Sequence, residues 1–193
     1  MTDRRLKLMI LLAGLALNGV IFLAWTQEWI SVVLDDRTVL AVTGDTAAPA
    51  VSALALSGLV LIGALAIAGP FFRVVLGVLQ SALGATIVLS GMLAILGPAA
   101  ASASVVATAT GVEGGKSLVG SAALGVWPFA STISGALLVV LGVITVVTSR
   151  RWPGATRKYS AVRTEAVNEG DTVQSWDALS SGDDPTAAPP ASR

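Results

Sequence analysis

Few side chains in this sequence can do chemistry, and their types narrow that chemistry at once. The chain has no histidine and no cysteine. Imidazole bases, thiol nucleophiles, disulfides and the zinc sites built from these ligands are therefore excluded. No serine stands in a nucleophile motif. The apolar stretches hold no clustered carboxylates, and Asp35, Asp36, Asp45 and Glu113, which lie between those stretches, carry no sign of a carboxylate-based activity. The reading is a non-enzyme without metal or cofactor. Two groups remain: the carboxamides Asn18 and Gln80, each inside a long apolar run, and an aromatic and acidic motif near the C-terminus.

A carboxamide in hydrocarbon seeks a hydrogen-bond partner, although interhelical bonds of this kind average only about 0.6 kcal/mol. Counted from the cytoplasmic ends of their runs at about 1.5 Å per residue, Asn18 lies about 15–18 Å deep and Gln80 about 10–13 Å. The difference is about one helical turn, which puts a direct or water-bridged contact between them within reach. Asn18 shares a helical face with Gly14, Phe22 and Trp25, which makes that face the inward one. Glue between helices is the expected role, ahead of a substrate contact.

These groups must be positioned by membrane helices. Of the 193 residues, 54% are hydrophobic and only 12% charged, against about 25% charged in a soluble domain. Mean hydropathy is +0.79. Between Asp45 and Glu113 there is a single charge, Arg73, at the Gly69-Pro70-Phe71-Phe72-Arg73 break. Apolar runs of about 20 residues, enough to cross a hydrocarbon core of about 30 Å, flank that break and form a helical hairpin. With two further runs, the expected fold is an all-α, four-span transmembrane bundle over residues 1–149. Its spans fall at about 8–25, 50–69, 74–97 and 129–149. The first run has a signal peptide as competitor, but it is long, and no small-residue cleavage site precedes Phe22, Leu23 and Trp25. It is read as an uncleaved helix.

Two loops, 26–48 and 98–126, lie on the extracytoplasmic side. In the first, β-branched residues at 30–34 and 38–42 flank Asp35-Asp36-Arg37, which predicts a small β-hairpin leaning on the membrane or on the second loop. The second loop is weakly apolar and Gly-divided, and either a surface helix or a re-entrant piece fits it. Trp127-Pro128 opens the last span and Arg150-Arg151-Trp152-Pro153 closes it. Trp25, Trp29, Trp127 and Trp152 are expected in the interfacial belts. Nine basic residues (Arg4, Arg5, Lys7, Arg73, Arg150, Arg151, Arg157, Lys158, Arg163) fall on one side and two (Arg37, Lys116) on the other. The positive-inside rule then puts both termini of this cell-membrane protein in the cytoplasm.

Small residues recur at a seven-residue spacing: Gly77, Gly84 and Gly91 in the third span, Gly135, Gly142 and Ser149 in the fourth. Lipid tails are as apolar as leucine, so close backbone approach, not burial, must hold helices together. The period predicts a small-residue seam on a left-handed crossing, closed within one chain or between two in a homo-oligomer. No charged residue is expected inside a span, which argues against an energised carrier.

The tail, 150–193, has a composition that predicts a disordered cytoplasmic segment. Within 171–186, Asp171 or Thr172 can cap a short helix with Val173, Trp176 and Leu179 on one face, and Gly182 can end it. Asp177, Asp183 and Asp184, followed by Pro185, disfavour anionic lipid, so a cytoplasmic protein is the expected partner. A formal net charge of +0 offers no argument for nucleic acid.

Trp25-Thr26-Gln27-Glu28-Trp29, the stretch from Gly44 to Pro49, the Arg73 turn, Thr110-Gly111-Val112, Trp127-Pro128, Arg150-Arg151-Trp152 and the motif from Trp176 to Thr186 occur in this order. Together they resemble the actinobacterial tryptophan-biosynthesis-associated membrane protein family, whose members are encoded among tryptophan synthesis genes. The family motif often has a basic residue where Ser181 stands here. The resemblance implies an accessory membrane protein and brings no assigned functional residue. The alternative is a carrier or exporter of tryptophan, indole or a related aromatic compound.

Overall fold

In the computed structural model of the protein, residues 3–35, 37–111, 119–149 and 180 are described. The elements run α1 (Asp3–Trp25), β1 (Glu28–Leu34), β2 (Val39–Thr43), α2 (Gly44–Ala47), α3 (Ala50–Ile67), α4 (Pro70–Leu96), α5 (Pro98–Ala101), α6 (Ala103–Thr110), β3 (Val119–Leu124) and α7 (Trp127–Thr148). The expected tail motif lies outside the described residues.

Four helices, α1, α3, α4 and α7, are long and apolar enough to cross a membrane. They form a ring: α4 packs along α7, α1 against α3 and α7, and α3 also against α4. Only 28% to 39% of the residues in each span's most apolar stretch are buried. Leu12, Leu15, Val60, Val78, Leu89, Leu137 and Val140 point outward. Water would penalise so large an apolar exterior, and lipid does not.

Helix starts follow local chemistry. Pro70, Pro98 and Pro128 stand in first turns, where a missing N–H costs nothing. Gly111 ends α6 in the left-handed region at φ 70°, its N–H donating to Ala107 O at 2.8 Å. The helix after the hairpin break begins at Pro70, not at residue 74, because proline is tolerated at N1 and Gly69 is extended. Arg73 therefore lies inside α4 and is 2% exposed, its Nε donating to Ala68 O at 2.9 Å. The expectation that no charge falls within a span fails at this end turn.

The β-hairpin gains a third strand. The sheet order is β2-β1-β3, antiparallel throughout, so a segment of the second loop pairs with the free edge of β1. A two-stranded hairpin is marginal alone, and the third strand and the core beneath it supply what it lacks. Ile30, Val32, Leu34 and Val42 join Trp29, Ile21, Val51, Ala55, Ile87, Leu138 and Val106 in one apolar cluster linking the sheet to the bundle. The second loop thus forms two short helices and a strand.

Trp29 is not a belt residue. It is 0% exposed, and its Nε1 donates to Ala24 O at 2.7 Å, satisfying a carbonyl in the last turn of α1. A register shift between Glu28 and Ile30 is the cause: the bulge turns Trp29 and Ile30 both inward. Gly44 accommodates the indole, since a Cβ there would lie 2.6 Å from Trp29 Nε1 and 2.6 Å from Trp25 O. Trp25 and Trp127 are half-buried against the same cluster, and Trp152 lies outside the described residues.

Candidate functional site

The two carboxamides of the bundle interior stand at one level. Asn18 on α1 is 1% exposed and Gln80 on α4 is 2% exposed. Gln80 stands ten residues beyond Pro70 and Gly58 nine before Ile67. At 1.5 Å per residue this puts both about 14–15 Å from the α3–α4 turn. Asn18 touches Gly58, so all three share a layer. That layer separates the large apolar cluster on the sheet side from a smaller one around Ile10 and Leu65.

No direct hydrogen bond joins the two amides. Asn18 Nδ2 donates within its own helix, to Gly14 O at 2.8 Å. Asn18 Oδ1 has no conventional donor, and a Cβ built on Gly58 would collide with that amide. One Cα–H of Gly58 therefore points at Oδ1, the geometry of a weak Cα–H···O bond. Both amide atoms of Gln80 are buried with no hydrogen-bond partner, as is Ser131 Oγ on α7. The inward face of α1 carries Ile10, Gly14, Asn18 and Ile21, while Phe22 is exposed, so the face turns about one residue from the expected one.

Gly58 was no part of the sequence-derived set, and only its neighbour across the helix pair identifies it. Its replacement by alanine should cost about 1–3 kcal/mol through overpacking. Asn18→Ala in the same chain should recover part of that loss, because the collision is with the Asn18 side chain. Unfolding titrations of the two single variants and the double variant measure this coupling. Equal losses with and without Asn18 would remove the contact.

The glycine series lies where α4 meets α7. A Cβ on Gly84 would fall 2.7 Å from Gly135 O and 2.9 Å from Val139 N, and one on Gly142 would fall 2.6 Å from Gly77 O. Gly77 faces Val146 and Thr145, and Gly91 faces Thr132. In this structure the seam closes within one chain. Ser81, which the spacing did not single out, adds a polar clasp: its Oγ lies 3.2 Å from Val139 O across the helix pair and 3.1 Å from Gly77 O in its own helix.

At the end away from the sheet, Lys7 Nζ donates to Ala66 O at 2.7 Å, so Lys7 and Arg73 both reach the C-terminal carbonyls of α3. This is the favourable place for a cation on a helix. Beside α2, at the sheet end, an open cleft of about 370 Å³ runs between Thr46 and the Ser104–Thr108 face of α6. No grouping of acidic residues among the described residues could hold a metal ion. Val173, Trp176, Leu179, Asp183, Asp184 and Pro185, the expected partner-binding residues, lie outside the described residues.

Comparison with curated proteins and with solved structures returned no match. A family model described as tryptophan-associated transmembrane protein matches residues 8–186, from the first span through the Trp176 motif. With four apolar helices arranged as above and nearly the whole length matched, the chain belongs to that family of multi-pass membrane proteins.

Proposed function

We propose that the chain is a non-enzymatic accessory protein of the cytoplasmic membrane that holds a cytoplasmic partner, a component of tryptophan synthesis, through its tail. The observation that carries this reading is the extent of the family match. It continues 38 residues past the end of α7, to residue 186, and so takes in the aromatic and acidic motif. An amphipathic turn with Val173, Trp176 and Leu179 on one face and carboxylates beside it suits folding onto a protein surface. The bundle then acts as the anchor, and its seam keeps that anchor rigid.

Removing residues 171–186 is expected to abolish co-purification of the partner in mild detergent while the membrane domain melts as before. Unchanged co-purification would remove the tail from the function. The same reading needs the tail in the cytoplasm, which the nine-to-two distribution of basic residues supports. Reporter fusions at Met1 and Arg193 should both be active on the cytoplasmic face, and activity on opposite faces would sink the four-span orientation.

A further inference from the structure

Gln80 is the side chain that packing does not explain. Leucine or methionine would fill the same volume of a bundle interior without a buried amide, and the apolar clusters on either side of its layer are built of such residues. A carboxamide buried without partners is disfavoured in a protein core, and more so where no bulk water borders the helices. Here the residue is 2% exposed, and its donor group and its acceptor are both unmatched. Asn18 Oδ1, at the same level and likewise 99% covered, has only the Cα–H of Gly58.

We propose that the layer of Asn18, Gly58 and Gln80 is an internal binding site for a small neutral guest that hydrogen-bonds to these amides. Neutrality follows from the surroundings: Lys7 and Arg73 bond to carbonyls at the end of α3, a full two turns from this level, and the layer itself is made of two amides and a glycine. The guest is small because the helices around it approach closely, with Gly14 against Ile62 and Leu141 one turn away. A water molecule supplies both a donor and an acceptor, whereas the N–H edge of a compact ring such as indole supplies the donor alone, for Asn18 Oδ1 or Gln80 Oε1. The site does not depend on the tail or on its partner, so the accessory role and this inference stand or fall separately.

The full chain in lipid nanodiscs, with its side-chain amide nitrogens labelled, tests this by magnetic resonance. It has five carboxamides, Asn18, Gln27, Gln80, Asn168 and Gln174, so the spectrum is sparse. Gln80→Met identifies the Gln80 pair by its disappearance, and Gln80→Leu serves if that variant does not fold. Cross-relaxation between the Gln80 NH₂ and a long-lived water establishes the site with solvent as guest. A saturable displacement of the Gln80 pair on adding indole, with Gln27 unmoved, establishes it with an N–H ligand as guest. A Gln80 pair that shows neither, or only a through-bond coupling to Asn18, overturns the proposal.

Discussion

Leucine in place of Gly84 is expected to force α7 off α4 and to destabilise the bundle by the upper end of the about 1–3 kcal/mol that overpacking usually costs, or more. The reason is what the new side chain would meet. Its Cβ would lie 2.7 Å from Gly135 O, 2.9 Å from Val139 N and 3.1 Å from Leu138 Cβ. Two of these are backbone atoms, which cannot swing aside as a side-chain terminus can. The helices would have to separate, and separation forfeits the dispersion contacts that hold them, since apolar burial gives no net drive in lipid. The Ser81 clasp to Val139 would open with them. Ala82, exposed on the same helix, is the control: leucine there should be close to neutral. Unfolding of the two variants in mixed micelles decides the matter, and a Gly84 variant as stable as the Ala82 variant would mean that the seam is not what joins the pair.

Trp29→Ala should cost about 3–5 kcal/mol, the usual loss for emptying a buried tryptophan site. The indole fills the space between the end of α1, Gly44 and the sheet. The loss should be local before it is global. Hydrogen exchange of β1, β2 and β3 amides is expected to accelerate while the buried amides of α4 and α7 stay protected. Trp29→Phe separates volume from polarity: it keeps most of the ring but removes the Nε1–H bond to Ala24 O, at about 0.5–1.5 kcal/mol, since the Gln27 N–H still donates to that carbonyl at 3.1 Å. Equal exchange rates in the wild type and the alanine variant would show that the sheet does not hang on this residue.

The parts of the fold that were legible in the sequence are those where one physical signal dominates. Long uncharged runs announce the four helices, because nothing else crosses hydrocarbon with its backbone satisfied. The two β-branched segments around Asp35-Asp36-Arg37 announce strands for the same reason of simple patterning. β3 was not legible: Val119–Leu124 is made of small and weakly apolar residues, and it is a strand because β1 offers it an edge. Trp29 reads as a belt residue because it follows the end of a span, and only the bulge in β1, which turns it inward beside Ile30, removes it from the surface. The candidate site divides in the same way. Asn18 and Gln80 stand out as amides in apolar runs, but Gly58 is one glycine among 20. Only the neighbouring helix gives it meaning. Spacing could not reveal Ser81 either, since its partner lies 58 positions away.

Because β1 is the middle strand, its two neighbours reach it at very different times. β2 follows within a few residues, whereas β3 begins 85 residues after β1 ends. At about 5–20 residues per second of synthesis, that is a wait of about 4–17 s. Throughout it, one row of β1 amides and carbonyls is open to any passing strand, including the same row on a neighbouring nascent chain. The sheet therefore stays unfinished until all but the last span and the tail have been made, and it is exposed to mispairing when many copies are made at once.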